Sequence, residues 1–285
     1  MSMRPLRRGI GSSAKALLAF VILVIVLFPV VWLLLATFKT TAEVERIPIV
    51  WLPHHPTPKP LAEVWLNPAG YSTDWPRFFL NTLIVALSTT ALLVALGTIV
   101  GYGLARFRLR GTGFMLMSLL IAQLFTGPAL MIPVYVVISR IGLYDTLTGL
   151  ILIYIIFQTP FACWLSYSYF QNLPFELEEA ASVDGCTPWQ AFLRVTVPLT
   201  RIGAVTIGLM TFLLTWSEYP FAVSLLENKR VLTVSIGLAH FITAFNIYWN
   251  QMAAASLVTA VPVFLLLIFA QRYFVKGLTA GAVKG

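Results

Sequence analysis

Charged residues are scarce in this chain: they make up 11% of its 285 residues, whereas 59% are hydrophobic. Soluble domains carry about 25% charged and about 45–50% apolar residues. The shortage of charge argues against a soluble enzyme and against a disordered protein. Only two cysteines are present, Cys163 in an apolar run and Cys186 in a polar loop, which argues against a disulfide scaffold. The composition therefore predicts an integral membrane protein.

Six segments are long and apolar enough to cross a bilayer as helices, which takes about 20 residues each. The predicted spans are 16–38, 78–104, 113–138, 146–168, 202–222 and 253–274. The first is too long for the apolar region of a signal peptide, so we expect it to be retained. Gly97 and Gly101 form a GxxxG pair that predicts close helix packing. The predicted fold is all-α, with one transmembrane domain over residues 1–285.

Basic residues are distributed unevenly around these spans. If the N-terminus is cytoplasmic, the inner segments hold twelve Lys and Arg against four acids, and the outer segments hold seven against seven. An excess of Lys and Arg is typical of the cytoplasmic side, so we expect both termini there. The formal charge of +8 then reflects topology and attraction to anionic lipid, not nucleic-acid binding.

Residues with catalytic or metal-binding patterns are absent from the sequence. It contains no Walker A pattern, so the chain cannot hold ATP phosphates by that device. His54 and His55 have no further ligand at metal-site spacing. We find no supported Ser-His-Asp or Cys-His arrangement, and we predict no catalytic residue, no metal site and no cofactor in this chain.

The loop 169–201 lies between the fourth and fifth predicted spans, on the cytoplasmic side. Asn172 is predicted to cap a short helix, because three glutamates that favour the positive end of a helix dipole follow it: Glu176, Glu178 and Glu179. Gly185 is expected to end this helix, since glycine accepts the left-handed conformation. From Thr187 a capping-box pattern predicts a second helix, and Pro198 marks the approach to the fifth span.

The first predicted helix of the loop has small side chains at its centre and acidic side chains beside them. Ala180, Ala181 and Ser182 carry little bulk, and Glu179 and Asp184 present carboxylates. These features fit a surface that docks another protein through pairing with its basic groups. They also fit a connector that rests on the membrane surface, and the residues alone leave both interpretations open.

The loop resembles the EAA loop of ABC-importer permeases. The matching residues are Glu179-Ala180-Ala181, then Gly185 after three residues, then Val195-Thr196-Val197-Pro198 after nine more. Val195 and Val197 replace the Ile and Leu of the family pattern, and Asp184-Gly185 is typical of the carbohydrate-uptake branch. Nearly the whole chain is similar to the maltose-type permeases of that branch, including the tail 277–285.

This resemblance implies a permease subunit of the cytoplasmic (inner) membrane, with six helices and an EAA coupling loop, that imports solute by alternating access. The solute would be a sugar, oligosaccharide or related polyol, with a glycerol-3-phosphate-type solute as the alternative. The partners implied are a homologous permease in a heterodimer, an extracytoplasmic solute-binding protein near 223–252, and two ATP-binding subunits. Those subunits would bind ATP and Mg. An ion-coupled secondary transporter would need ionisable groups at the midplane, and none stands out.

The resemblance also assigns residues. The ATPase-coupling residues would be Glu179, Ala180, Ala181, Asp184, Gly185 and Pro198. Within the cytoplasmic tail 275–285, the residues at the ATPase interface would be Gly281, Ala282, Val283, Lys284 and Gly285.

Polar and aromatic groups near membrane depth are candidates for the solute pathway, because such groups are costly there. They are Gln123, Trp216, Glu218 and Tyr219. Sugars are held by aromatic faces and hydrogen bonds. The alternative is that these groups bond neighbouring helices or anchor them at the interface.

We predict that Glu179→Lys or Gly185→Val uncouples ATP hydrolysis from solute uptake while the protein remains in the membrane. The first change reverses a docking charge, and the second places a side chain at the turn. Uptake and ATP hydrolysis by membrane vesicles measure the effect. Transport at the normal rate would show that the loop has no coupling role.

Overall fold

The computed structural model describes residues 4–66, 74–107, 111–123 and 127–282, and almost all of their regular structure is helical. In chain order the α-helices are α1 (Arg4–Thr37), α2 (Thr41–Val44), α3 (Lys59–Leu66), α4 (Trp75–Arg106), α5 (Thr112–Ala122), α6 (Gly127–Arg140), α7 (Leu147–Gln171), α8 (Glu176–Val183), α9 (Pro188–Ala191), α10 (Val197–Leu199), α11 (Arg201–Trp216), α12 (Pro220–Leu225), α13 (Val234–Ala239) and α14 (Trp249–Ala282). A π-helical turn, Phe192–Thr196, joins α9 to α10. An isolated antiparallel bridge pairs Ile242 with Ile247.

The chain forms two compact units. The first comprises Met1–Thr73 and His240–Ala260, and the second comprises Asp74–Ala239 and Val261–Gly285. The second unit contains α4 to α13, and therefore the whole of the loop between α7 and α11.

Four helices of the described residues are long and apolar enough to cross a membrane: α1 from Lys15, α4, α7, and α14 as far as Gln271. A fifth span is obtained if Pro188–Leu199 and Arg201–Trp216, which meet at 71°, are counted together. The sequence predicted six spans. The predicted span 113–138 overlaps α5 and α6, and the three residues between these helices, 124–126, lie outside the described residues.

A proline explains where the predicted fifth span, 202–222, ends. Helix α11 ends at Trp216, and Pro220 begins the separate helix α12. The segment was predicted as continuous because hydropathy averages over a window and does not register a local helix break.

Close contact between α4 and α7 organises the second unit. A Cβ atom built on Gly97 would lie 3.1 Å from the Cβ of Ala162, and one built on Gly101 would lie 2.5 Å from the Cβ of Ser166. The predicted GxxxG packing is therefore confirmed, and its partner helix is α7. Leu93, fully buried, extends this contact in a cluster with Ala162 and α11.

Lys39 is buried in the first unit, just after α1, with 1% of its surface exposed. Its ammonium group donates a hydrogen bond to the Val50 carbonyl at 2.5 Å and lies 4.2 Å from the centroid of the Trp32 ring. Burial lowers the pKa of Lys39, and the charge of Glu43 opposes that decrease. The lysine thus ties the end of α1 to the proline-rich segment that follows.

Glu43 fastens the same segment through main-chain donors. Its carboxylate accepts hydrogen bonds from the backbone N–H groups of Thr40, His54 and His55, at 3.1, 2.9 and 3.1 Å. These bonds, with that of Thr40 the strongest influence, hold the pKa of Glu43 below its ordinary value. His54 and His55 therefore contribute backbone contacts here. The described part of the chain contains no group of three His, Cys, Asp or Glu residues that could hold a metal ion.

We predict that Gly101→Ala lowers the free energy of unfolding by about 1–3 kcal/mol, because its methyl group overpacks the contact with Ser166. Gly103→Ala is the matched control, since the nearest atom to its Cβ is a Phe107 ring carbon at 3.8 Å. Thermal unfolding of both variants in detergent measures the difference. Equal unfolding midpoints would contradict the close approach of α4 and α7.

Candidate functional site

The loop between α7 and α11 contains the predicted helix, glycine turn and second helix. Gly185 follows α8 with a φ angle of +87°, in the left-handed region that favours glycine. Thr187 begins the second helix: its hydroxyl accepts a hydrogen bond from the backbone N–H of Gln190, and the Gln190 amide oxygen accepts one from the N–H of Thr187. The prediction of a helix, a tight reversal and a capped helix is confirmed.

The prediction for Asn172 is wrong. This residue ends α7, with φ −81° and ψ −5°, and its side-chain amide donates to the Ser168 carbonyl at 2.8 Å. A residue that caps a helix start normally has extended backbone, which Asn172 lacks because α7 continues to Gln171. Helix α8 begins after Phe175, whose side chain makes no capping bond.

The exposed surface of α8 and the turn combines acidic and apolar side chains. Glu179, Ala180, Asp184 and Gly185 are exposed, as is Pro198 in α10, whereas Ala181 is buried. Val183, 88% exposed, and Trp189, 58% exposed, add apolar surface beside the carboxylates. This mixture of apolar centre and charged rim is typical of a protein-docking surface.

Glu178, unlike the exposed Glu179, faces the protein and lies at the centre of a buried polar cluster. Its Oε1 accepts hydrogen bonds from the Nε of Arg106 at 2.8 Å and from the hydroxyl of Thr196 at 3.0 Å. Its Oε2 accepts one from the Tyr102 hydroxyl at 2.9 Å. The side chains of Arg106 and Glu178 are only 10% and 8% exposed.

Arg106 connects the end of α4 to two parts of the loop. Besides its bond to Glu178, both terminal nitrogens donate to the Leu173 carbonyl at 3.2 Å. The guanidinium carbon lies 5.5 Å from the centroid of the Phe175 ring. The arginine therefore uses its planar, multiply donating head on a carboxylate and a main-chain carbonyl together, which a lysine does not reproduce.

The role of this cluster was not predicted from the sequence, where Glu178 is one of three acidic residues at a helix start. A signal existed. Residues three apart lie on one helix face, and Ala181, three residues after Glu178, is buried as well. The partner on α4 carried no signal, since nothing in the spacing relates Arg106 to a residue 72 positions later.

A cavity of about 770 Å³ lies beside the cluster, between the last turns of α4 and the loop. Tyr102 and Arg106 line it from α4, and Phe175, Glu178 and Trp189 line it from the loop. Its walls are mostly apolar. Helix α8 is therefore incompletely packed against α4 on this side.

The loop leads into α11 through a sharp bend. Pro198 has no N–H to continue the helical ladder, and the π-helical turn Phe192–Thr196 lies just before it. Thr200 closes the junction by donating its hydroxyl to the Thr196 carbonyl at 3.0 Å. The segment Pro188–Leu199 then meets α11 at 71°.

Two of the candidate pathway residues have structural contacts. Trp216 is 4% exposed and packs on Phe212 and Phe79, with ring centroids 5.2 and 5.6 Å apart. Glu218 accepts a hydrogen bond from the Tyr154 hydroxyl at 2.5 Å, and its carboxylate also accepts backbone N–H groups in the first turn of α12. Both arrangements match the alternative of helix bonding and packing.

The other site predictions concern more open positions. Gln123 is exposed at the end of α5, and Tyr219 is 40% exposed just before α12. A pathway role for these four residues stays a prediction. Of the predicted tail, Gly281 and Ala282 are the last residues of α14, whereas Val283, Lys284 and Gly285 lie outside the described residues.

Comparison with known proteins identifies relatives along almost the whole chain. The family model of binding-protein-dependent transport system inner membrane components matches residues 94–280, which include the entire loop. The sulfoquinovosyl glycerol transport system permease protein SmoH of Agrobacterium fabrum is 34% identical over 277 residues, covering 96% of this chain and 95% of the relative. The trehalose transport system permease protein SugB of Mycobacterium tuberculosis is 32% identical over 263 residues, covering 91% and 93%.

The fold is similar to that of a solved transporter chain. A chain of a bacterial ABC transporter involved in the import of the acidic polysaccharide alginate superposes with a TM-score of 0.75. The match covers 96% of this chain and 99% of that one, at 21% sequence identity. At this identity the likeness shows the fold alone.

We predict that Gly185→Val destabilises the turn, whereas Gly185→Asn largely preserves it. No heavy atom lies within 4 Å of a Cβ built at Gly185, so the penalty comes from the backbone conformation, which asparagine adopts more readily than valine. We expect a loss of about 1–3 kcal/mol for valine. Thermal unfolding in detergent measures it.

Gly113→Ala is the control for this pair, because its Cβ also meets no atom within 4 Å and its φ is not positive. Equal unfolding midpoints for the valine and asparagine variants would contradict the left-handed turn.

Proposed function

The chain belongs to the family of binding-protein-dependent transport system inner membrane components, and we propose that it imports a sugar, oligosaccharide or related polyol by alternating access. The observation that carries the proposal is the match, over nine-tenths of both chains, to permeases of sulfoquinovosyl glycerol and trehalose transport systems. Both of those solutes are glycosides. Import of a glycerol-3-phosphate-type solute is the alternative that the experiment below tests.

We propose that both termini and the loop between α7 and α11 face the cytoplasm. The excess of Lys and Arg on that side supports this orientation. In this orientation the first unit places the segment after α1, with its buried Lys39 and Glu43, on the outer side of the membrane.

The partners proposed are a homologous permease in a heterodimer, two ATP-binding subunits and an extracytoplasmic solute-binding protein. We propose that the ATP-binding subunits bind ATP and Mg. The exposed Glu179 and Asp184, beside the exposed Val183 and Trp189, support docking of α8 in an ATPase subunit. We assign the binding protein to the outer segment 223–252, whose Phe245 ring is fully exposed. The tail residues 281–285 reach the interface between the ATPase subunits.

The mechanism follows from how the loop is held. Closure of the ATPase subunits moves α8, which presents Glu179 outward and is bonded inward through Glu178. The capped helix α9 and the bent junction before α11 carry the same displacement to the fifth span. Small, exposed Ala180 allows the ATPase surface to approach the helix closely.

The test is reconstitution. The permease is purified with its partner permease and ATPase subunits, placed in liposomes, and assayed with the binding protein and a panel of solutes. We expect ATP hydrolysis and uptake that require both the binding protein and a glycoside or polyol. Stimulation by glycerol phosphate alone would favour the alternative solute, and hydrolysis that ignores binding protein and solute would contradict the importer.

A further inference from the structure

We propose that Arg106 is a positioning residue that locks the coupling helix α8 to the end of α4, so that ATP-driven motion of α8 moves α4 directly. The inference rests on the proposed function and adds a named connection between the docking helix and a membrane span. The lock consists of Arg106, Glu178, Tyr102 and Thr196 together with the Leu173 carbonyl.

The geometry of the lock joins elements that are distant in sequence. Glu178 receives three hydrogen bonds of 2.8 to 3.0 Å: two from α4, through Arg106 and Tyr102, and one from Thr196 in the π-helical turn. Arg106 adds the two bonds to the Leu173 carbonyl, just before α8. The first half of α8, the residue Leu173 before it and the end of α4 are thus held by one carboxylate and one guanidinium.

The charged side chains of Arg106 and Glu178 are buried, so each needs hydrogen-bond partners that replace the water it has lost. A carboxylate that is 8% exposed is stable in its charged form only if its lone pairs are satisfied, and here both oxygens are bonded. The same requirement fixes the direction of α8, because rotating the helix would break several of these bonds together. The lock therefore fixes the rotation of α8 about its own axis and also attaches α8 to the end of α4.

Packing between α8 and α4 is incomplete. The cavity of about 770 Å³ separates part of the loop from the last turns of α4, so apolar contact on that side is incomplete. Along the chain, α8 is joined to α7 and α9, and not to α4. Polar bonds across this gap are consequently the direct connection from the docking helix to α4.

The experiment compares solute imported per ATP hydrolysed in the reconstituted complex. We expect Arg106→Gln and Glu178→Gln each to lower this ratio about tenfold, within the usual range of coupling between sites. A merely structural defect would reduce the amount of complex, and so lower uptake and hydrolysis together without changing their ratio. A normal ratio in both variants overturns the proposal.

The double variant Arg106→Gln with Glu178→Gln tests whether the two residues act as one unit. We expect its ratio to be no lower than that of either single variant, because the first change already releases the lock. Losses that multiply in the double variant would overturn the idea of a single lock.

Matched controls change an arginine charge elsewhere in the loop region. Arg194→Gln in the π-helical turn and Arg201→Gln at the start of α11 alter exposed residues, and we expect a normal ratio for both. Ratios as low as that of Arg106→Gln would overturn the proposal by showing that loop charge in general sets the coupling.

Two further variants keep both charges, and they test the proposal even if the complex that carries Arg106→Gln does not assemble. Tyr102→Phe and Thr196→Val each remove one bond to Glu178, and we expect a ratio about twofold lower, in keeping with one lost hydrogen bond. Unchanged ratios in both would overturn the proposal. A wild-type complex that does not import would instead refute the proposed function, so the two failures are distinguishable.

Discussion

The close approach of α4 and α7 is the constraint on which the rest of the second unit depends. Gly97 and Gly101 leave no room for a Cβ atom, so the two helices touch along a face where most residues would hold them apart. This contact continues toward the ends of both helices. It places Arg106, at the end of α4, within hydrogen-bond distance of the Leu173 carbonyl, just beyond α7. A small change of helix spacing would separate this pair, because hydrogen bonds tolerate only a few tenths of an ångström.

The two adjacent glutamates of α8 illustrate how a short helix serves two surfaces. Successive residues on a helix point about 100° apart, so Glu178 faces the protein while Glu179 faces solvent. The inward carboxylate fixes where the helix lies, and the outward one is available to a partner. The proposed docking of α8 uses both, because a partner would transmit force through the helix only if the helix does not rotate on its own support.

Local signals in the sequence predicted the loop well and predicted the distant contacts poorly. Gly185 and the Thr187–Gln190 capping box act within a few residues, so their structural consequences follow from the sequence itself. The lock between Arg106 and Glu178 depends on two helices meeting across 72 positions, which no local pattern records. Hydropathy likewise found apolar segments but not the break between Trp216 and Pro220. Trp216 was considered for the pathway on its chemistry, whereas its burial is set by packing against Phe212.

The bent junction after α9 sets the direction in which the loop meets the fifth span. Pro188–Leu199 and α11 meet at 71°, so under the proposed coupling a push on the loop would tilt α11 and would not slide it along its own axis. Thr196 belongs to the junction through its carbonyl, which accepts the Thr200 hydroxyl, and to the lock through its own hydroxyl. One buried residue therefore connects α8 to the start of α11. Ile207 of α11 packs in one buried cluster with Leu93 of α4 and Ala162 of α7, so the three helices share a common core.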